Sequence, residues 1–319
     1  MLSRTADNLY WVSRYLERAD FLARLIEASS RIAALPKTYA SAQDEWQSVL
    51  IASGADETFY EHFPEPNEAS VIAYLAFDAR NPSSIRNCIE FARTNARAVR
   101  TALTVEMWEG INSAWLELKK FEAVQKELGR IDREELIKFL EYVKQTSSLY
   151  DGSGYRTMLR NDAYYFSRLG VYVERADNTA RVLDVKYHVL LPEQEAVGGS
   201  VDYFQWTAIL RSVSALTAYH WVYRESIKPW NVADLLILRQ EMPRSLLSCC
   251  DNIVRFLDAI GNQYGRQGPA QRHARNMKRR LESTSIKDIF QSGLHEFVDG
   301  FVTDNNRLGT EIAEQYLIG

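Results

Sequence analysis

Apolar residues recur at three- and four-residue intervals along most of the chain, the spacing that puts side chains on one face of an α-helix. Leu9, Val12, Leu16, Ala19, Ala23 and Ile26 form one such stripe, and Phe166, Leu169, Val173, Ala176, Ala180 and Leu183 form a second. The same periodicity predicts helices over about 44–54, 68–78, 83–127, 132–149, 201–225, 231–239, 244–260, 269–283 and 285–315. Breaks are expected at Pro64 and Pro66, at Pro192 with Gly198 and Gly199, at Pro229, and from Gly261 to Pro269. No segment keeps the sustained alternation of a half-buried strand. The 8 prolines and 15 glycines are few for 319 residues, which favours long helices.

The two stripes belong to a repeat. Tyr15-Leu16-Glu17-Arg18-Ala19-Asp20-Phe21-Leu22-Ala23-Arg24 recurs 157 residues later as Tyr172-Val173-Glu174-Arg175-Ala176-Asp177-Asn178-Thr179-Ala180-Arg181, with seven of ten positions identical. Asn81-Pro82-Ser83-Ser84 through Cys88 likewise matches Met242-Pro243-Arg244-Ser245 through Cys249, and in each a proline is expected to begin a helix. Trp46 corresponds to Trp206 and Phe139 to Phe297. The expected architecture is all-α: two tandem repeats of about five helices, 1–153 and 154–319, packed as one assembly about a pseudo-twofold axis. Asp151-Gly152-Ser153-Gly154 is the expected junction.

What the copies share is charged, whereas apolar residues exchange at modest cost. On a helix, Tyr10, Ser13, Arg14, Glu17, Asp20, Phe21 and Arg24 lie within roughly 60° of Glu17, opposite the apolar stripe. Ser167, Gly170, Val171, Glu174, Asp177, Asn178 and Arg181 lie likewise in the second copy, with Arg18 and Arg175 at the flanks. The faces differ where Arg14 meets Val171 and Phe21 meets Asn178. Three readings stand open. The face is a solvated one with ion pairs worth about 0.2–0.5 kcal/mol each. It is a buried network in which each glutamate is held by arginines of the other unit. Or it is a ligand or partner site in which arginines grip an anion. On the last reading the candidates are Arg14, Glu17, Arg18, Asp20, Arg24, Glu174, Arg175, Asp177 and Arg181. A groove beside them is expected along Tyr10, Trp11, Tyr164 and Tyr165.

Other chemistry has less to stand on. Glu17-x-x-Asp20 and Glu174-x-x-Asp177 lack the histidine of carboxylate-bridged dinuclear sites, and the adjoining arginines disfavour a cation, so no metal and no cofactor is expected. Cys88, Cys249 and Cys250 form neither a disulfide framework nor a CxxC site, and no glycine-rich phosphate loop is present. A basic cluster, Arg266, Arg272, His273, Arg275, Lys278, Arg279 and Arg280, reads as a solvated face before a nucleic-acid surface. The net charge of −4 and pI near 5.9 agree with that. With no apolar run of about 18 residues and no signal-peptide layout at the start, the cytoplasm is the expected location and no membrane is expected as a partner.

The opening Leu2-Ser3-Arg4-Thr5-Ala6-Asp7-Asn8-Leu9-Tyr10-Trp11, followed by Arg14-Tyr15-Leu16-Glu17-Arg18-Ala19-Asp20, resembles the bacterial alpha-E domain family, named for its helical character and a glutamate in a Glu-Arg setting. The Glu174 to Arg181 segment and Pro243-Arg244-Ser245 look like its later motifs, so the resemblance spans essentially the whole chain. Val171 stands where an arginine would be expected, and His220-Trp221-Val222 replaces a more basic stretch, which weighs against anion binding by the second unit alone. The resemblance implies the company of circularly permuted ATP-grasp proteins and transglutaminase-like cysteine peptidases, and a role in ATP-dependent amide-bond formation or peptide modification. The expected function is accessory or substrate-presenting, with a peptide as substrate. The alternatives are an enzyme using Glu17 and Glu174 as an acid/base pair, and an interaction scaffold held by a purely structural ion-pair network.

Overall fold

The computed structural model describes residues 1–33, 42–128, 132–189 and 200–317, and these are helical with no strand among them. The first part comprises α1 (Ser3–Ala33), α2 (Ala42–Ser53), α3 (Asp56–Tyr60), α4 (Glu68–Ile72), α5 (Ile85–Ala98), α6 (Val105–Leu128) and α7 (Arg133–Thr157). The second comprises α8 (Asp162–Val189), α9 (Ser200–Ser212), α10 (Leu216–Tyr223), α11 (Pro229–Ile237), α12 (Leu246–Tyr264), α13 (Pro269–Ser283), α14 (Ile286–Ser292) and α15 (Leu294–Tyr316). Among the described residues no helix is long and apolar enough to cross a membrane. The break expected at Pro192, Gly198 and Gly199 lies outside the described residues.

All twelve residues of the two apolar stripes are buried, in one continuous core with Trp46, Trp206, Phe59 and Tyr219. α1 and α8 lie against each other at its centre, α1 flanked by α5 and α7, α8 by α12 and α15. α2 packs across onto α8, and α9 across onto α1. Gly170 marks a close approach of α1 and α8: a Cβ there would stand 2.2 Å from the Tyr10 carbonyl oxygen. Ser13 Oγ lies 2.9 Å from Ser167 Oγ beside this crossing.

Several boundaries differ from the periodicity. The helix expected over 83–127 is two, because Val99 leaves helical geometry and Arg100–Ala102 tightens into a 3-10 turn before α6. The helix over 201–225 breaks at Ser214, which adopts φ 55°, and that over 285–315 breaks at Gly293, φ 98°. Gly54 makes the same left-handed turn after α2, φ 65°, as Ser214 makes after α9. Pro82 and Pro243 do not begin helices; they stand two residues ahead of Ser84 and Ser245, whose hydroxyls accept from Asn87 N and Ser248 N as N-caps. The expected junction at 151–154 lies inside α7, with Gly154 buried against Met107. The chain turns instead at 158–161, where the Asn161 side chain accepts from Ala163 N at 3.1 Å.

Candidate functional site

The charged faces of α1 and α8 point at each other and are buried, so the solvated reading does not hold: Glu17 is 3% exposed and Glu174 1%. Each glutamate is held by two arginines. Arg175 donates to both oxygens of Glu17, Nε to Oε1 and Nη2 to Oε2, each at 2.9 Å, and Arg244 Nη1 donates to Oε1 at 2.7 Å. Glu174 accepts from Arg18 Nε at 2.5 Å and Nη2 at 3.1 Å, and from Arg14 Nε at 2.7 Å. Bidentate pairing of this kind fixes orientation as well as charge. Arg14 stands where α8 has Val171, and supplies to Glu174 the second guanidinium that Glu17 takes from Arg244.

Burial alone would push both glutamates up, but Arg175 and Arg244 hold Glu17 down to about 2, and Arg18 and Arg14 hold Glu174 down to about 2. Both are therefore ionised and saturated with donors. The direct acid/base pairing of Glu17 with Glu174 does not fit this geometry, because each carboxylate is engaged by two arginines. Burial also pushes the Cys88 and Cys249 thiols up to about 12, so neither is primed as a nucleophile.

One turn further on, the halves part. Asp20 accepts from Arg24 Nε at 2.8 Å and from Arg244 Nη2 at 2.9 Å, so Arg244 bridges Glu17 and Asp20. Arg24 continues to Ser214 Oγ at 2.6 Å. Asp177 accepts from Arg181 Nε at 2.7 Å, but the residue aligned with Arg244 is Ser83, too short to reach it. Ser83 instead accepts from Arg18 Nη1 at 3.2 Å. The residue aligned with Ser214 is Gly54, whose missing Cβ would sit 2.8 Å from Arg181 Nη1. The result is a cavity of about 140 Å³, lined among others by Arg18, Ser83, Glu174, Asp177, Asn178 and Arg181. Among the described residues buried Asp177 Oδ1 accepts no hydrogen bond and buried Asn178 Nδ2 donates none; Asp20 Oδ1 in the first unit is likewise without a donor.

Of the residues expected at a site, Arg18, Glu174, Asp177 and Arg181 line this cavity, while Arg14, Glu17, Asp20, Arg24 and Arg175 lie in the ion-pair network beside it. Tyr10 and Tyr164 do not form an open groove. Both are buried, Tyr10 accepting from Arg14 Nη1 at 3.3 Å and Tyr164 packed edge-on to Phe256. Arg244, Ser83, Asn178 and Gly54 were not among the expected site residues; the mismatch of Ser83 with Arg244 in the aligned proline segments was the available signal. The basic cluster is partly neutralised by acids of α12 and α15: Arg275 pairs with Asp258 at 2.6 Å, Lys278 with Asp251 at 2.5 Å and Arg280 with Asp304 at 2.7 Å. Among the described residues no three His, Cys, Asp or Glu side chains are grouped to hold a metal ion.

Residues 1–317 match the model of one protein family, described as a predicted alpha-helical domain with a conserved ER motif. No curated protein and no solved structure matches the chain.

Proposed function

The chain belongs to the Alpha-E family, and from that membership we propose that it is an accessory, substrate-presenting helical protein of an ATP-grasp-dependent system that forms amide bonds. On this reading the partners are a circularly permuted ATP-grasp protein and a transglutaminase-like protein, a peptide is what is presented, and the setting is the cytoplasm. The chain is two related units, meeting at the turn over 158–161 and arranged about an approximate twofold between α1 and α8. The crossed glutamate–arginine pairs hold the units together, and the half-site at Asp177, Asn178 and Arg181 meets the partner or its peptide.

The observation that carries the reading is the inequality of the half-sites. A purely structural network gains nothing from leaving buried polar atoms unpartnered, which costs roughly 1–3 kcal/mol per group. Asp177 Oδ1 and Asn178 Nδ2 are so left beside a cavity; Asp20 Oδ1 is left likewise in the first unit, so the inequality lies in Asn178 Nδ2 and the cavity. Sealed carboxylates at Glu17 and Glu174 suit a scaffold that positions something, and not one that moves protons. The test is co-precipitation with the circularly permuted ATP-grasp protein at micromolar concentration. Wild type is expected to associate, and Asp177→Ala is expected to lose association while its melting temperature stays within a few degrees of wild type. A wild type that does not associate, or a folded Asp177→Ala that associates as well, rejects the proposal.

A further inference from the structure

We infer that the open half-site is a receptor for a carboxamide group, the side chain of a glutamine or asparagine. This rests on the reading that the half-site, and not the glutamate network, is where the chain takes hold of another molecule. Asp177 Oδ1 is an acceptor without a donor, as Asp20 Oδ1 is in the first unit, but here it is accompanied by an adjacent donor without an acceptor, Asn178 Nδ2; Asn178 is 4% exposed. Both residues line a cavity of about 140 Å³ that opens to solvent, close to the 150 Å³ of an engineered cavity that admits benzene, so one small group fits inside it.

Charge narrows the class. Arg14, Arg18 and Arg181 face Glu174 and Asp177, three cationic groups against two anionic ones. An ammonium or metal cation would add a fourth positive charge. A carboxylate would satisfy Asn178 Nδ2 and Arg181, but would set its own oxygens against Asp177 Oδ1. A carboxamide avoids both conflicts. Its N–H would donate to Asp177 Oδ1 and its carbonyl would accept from Asn178 Nδ2, with Arg181 also lining the cavity. Arg181 lies against Gly54, where an added Cβ would stand 2.8 Å from Nη1. Ser83 in place of an arginine keeps the space open.

Three small probes of similar size separate the classes: propionamide, propionate and propylammonium, titrated into the full chain by calorimetry and by thermal shift. Propionamide is expected to bind saturably in the millimolar range and raise the melting temperature, at least tenfold more tightly than either ion. Asn178→Leu removes the donor at similar volume, and Ser83→Arg installs the bridge that Arg244 makes on the other side; each is expected to abolish propionamide binding. Equal binding of the three probes, or unchanged propionamide binding in whichever variant folds, overturns the inference. Free L-glutamine against acetyl-Ala-Gln-Ala N-methylamide, with the glutamate peptide as control, tells a free metabolite from a peptide source; binding of the glutamate peptide equal to the glutamine one overturns it as well. These titrations contain no ligase, so their failure is distinct from a failure of association.

Discussion

At the scale of single residues, Glu17 and Glu174 are similar in sequence setting and in duty. Each is buried and ionised between two arginines. Removing either carboxylate leaves two guanidinium groups buried without their counterion, which in comparable networks costs about 3–5 kcal/mol. Glu17→Ala and Glu174→Ala are each expected to lose stability of that order in urea unfolding, with helix content retained below the transition. A loss under about 1 kcal/mol would place these pairs with ordinary surface ion pairs. Asp20 and Asp177 occupy the same position in the repeat and yet differ, because what lies opposite differs: Arg244 in one case, Ser83 in the other.

At the scale of elements, the fold depends on how closely α1 and α8 approach. Gly170 permits that approach, and a methyl group 2.2 Å from the Tyr10 carbonyl oxygen must force the helices apart. Gly170→Ala is expected to cost about 1–3 kcal/mol as an overpacking change, despite the better helix propensity of alanine. An unchanged unfolding midpoint would show that the crossing is slack. The helical class and the stripes buried in this crossing were legible in the sequence, since periodicity is local. The breaks at Val99 and Ser214 were not, for neither carries a proline or glycine; Ser214 holds a left-handed turn and ties its hydroxyl to Arg24, 190 residues away. The cavity was illegible for a related reason. Asn178 matters only because Gly54 and Ser83, from the turn after α2 and the segment before α5, withhold side chains where Ser214 and Arg244 supply them.

At the scale of the whole molecule, stability is expected to depend on pH through the same glutamates. Both are held at about 2 in the folded chain against an ordinary 4.5, so their contribution is complete above about 4.5 and is lost as pH falls toward 2. The melting temperature, followed by circular dichroism from pH 6 to pH 2, is expected to fall mainly below 4.5, and less steeply in Glu17→Gln. A flat profile across that window would contradict the burial of these charges. One residue outside the cavity links its existence to this balance. Arg14 does not line it, yet by serving Glu174 from α1 it relieves the segment before α5 of supplying a cation, as the segment before α12 must do for Glu17. The vacancy is thus underwritten from the opposite wall: a serine can stand at 83 because an arginine stands at 14, and the two positions are free to change only as a pair.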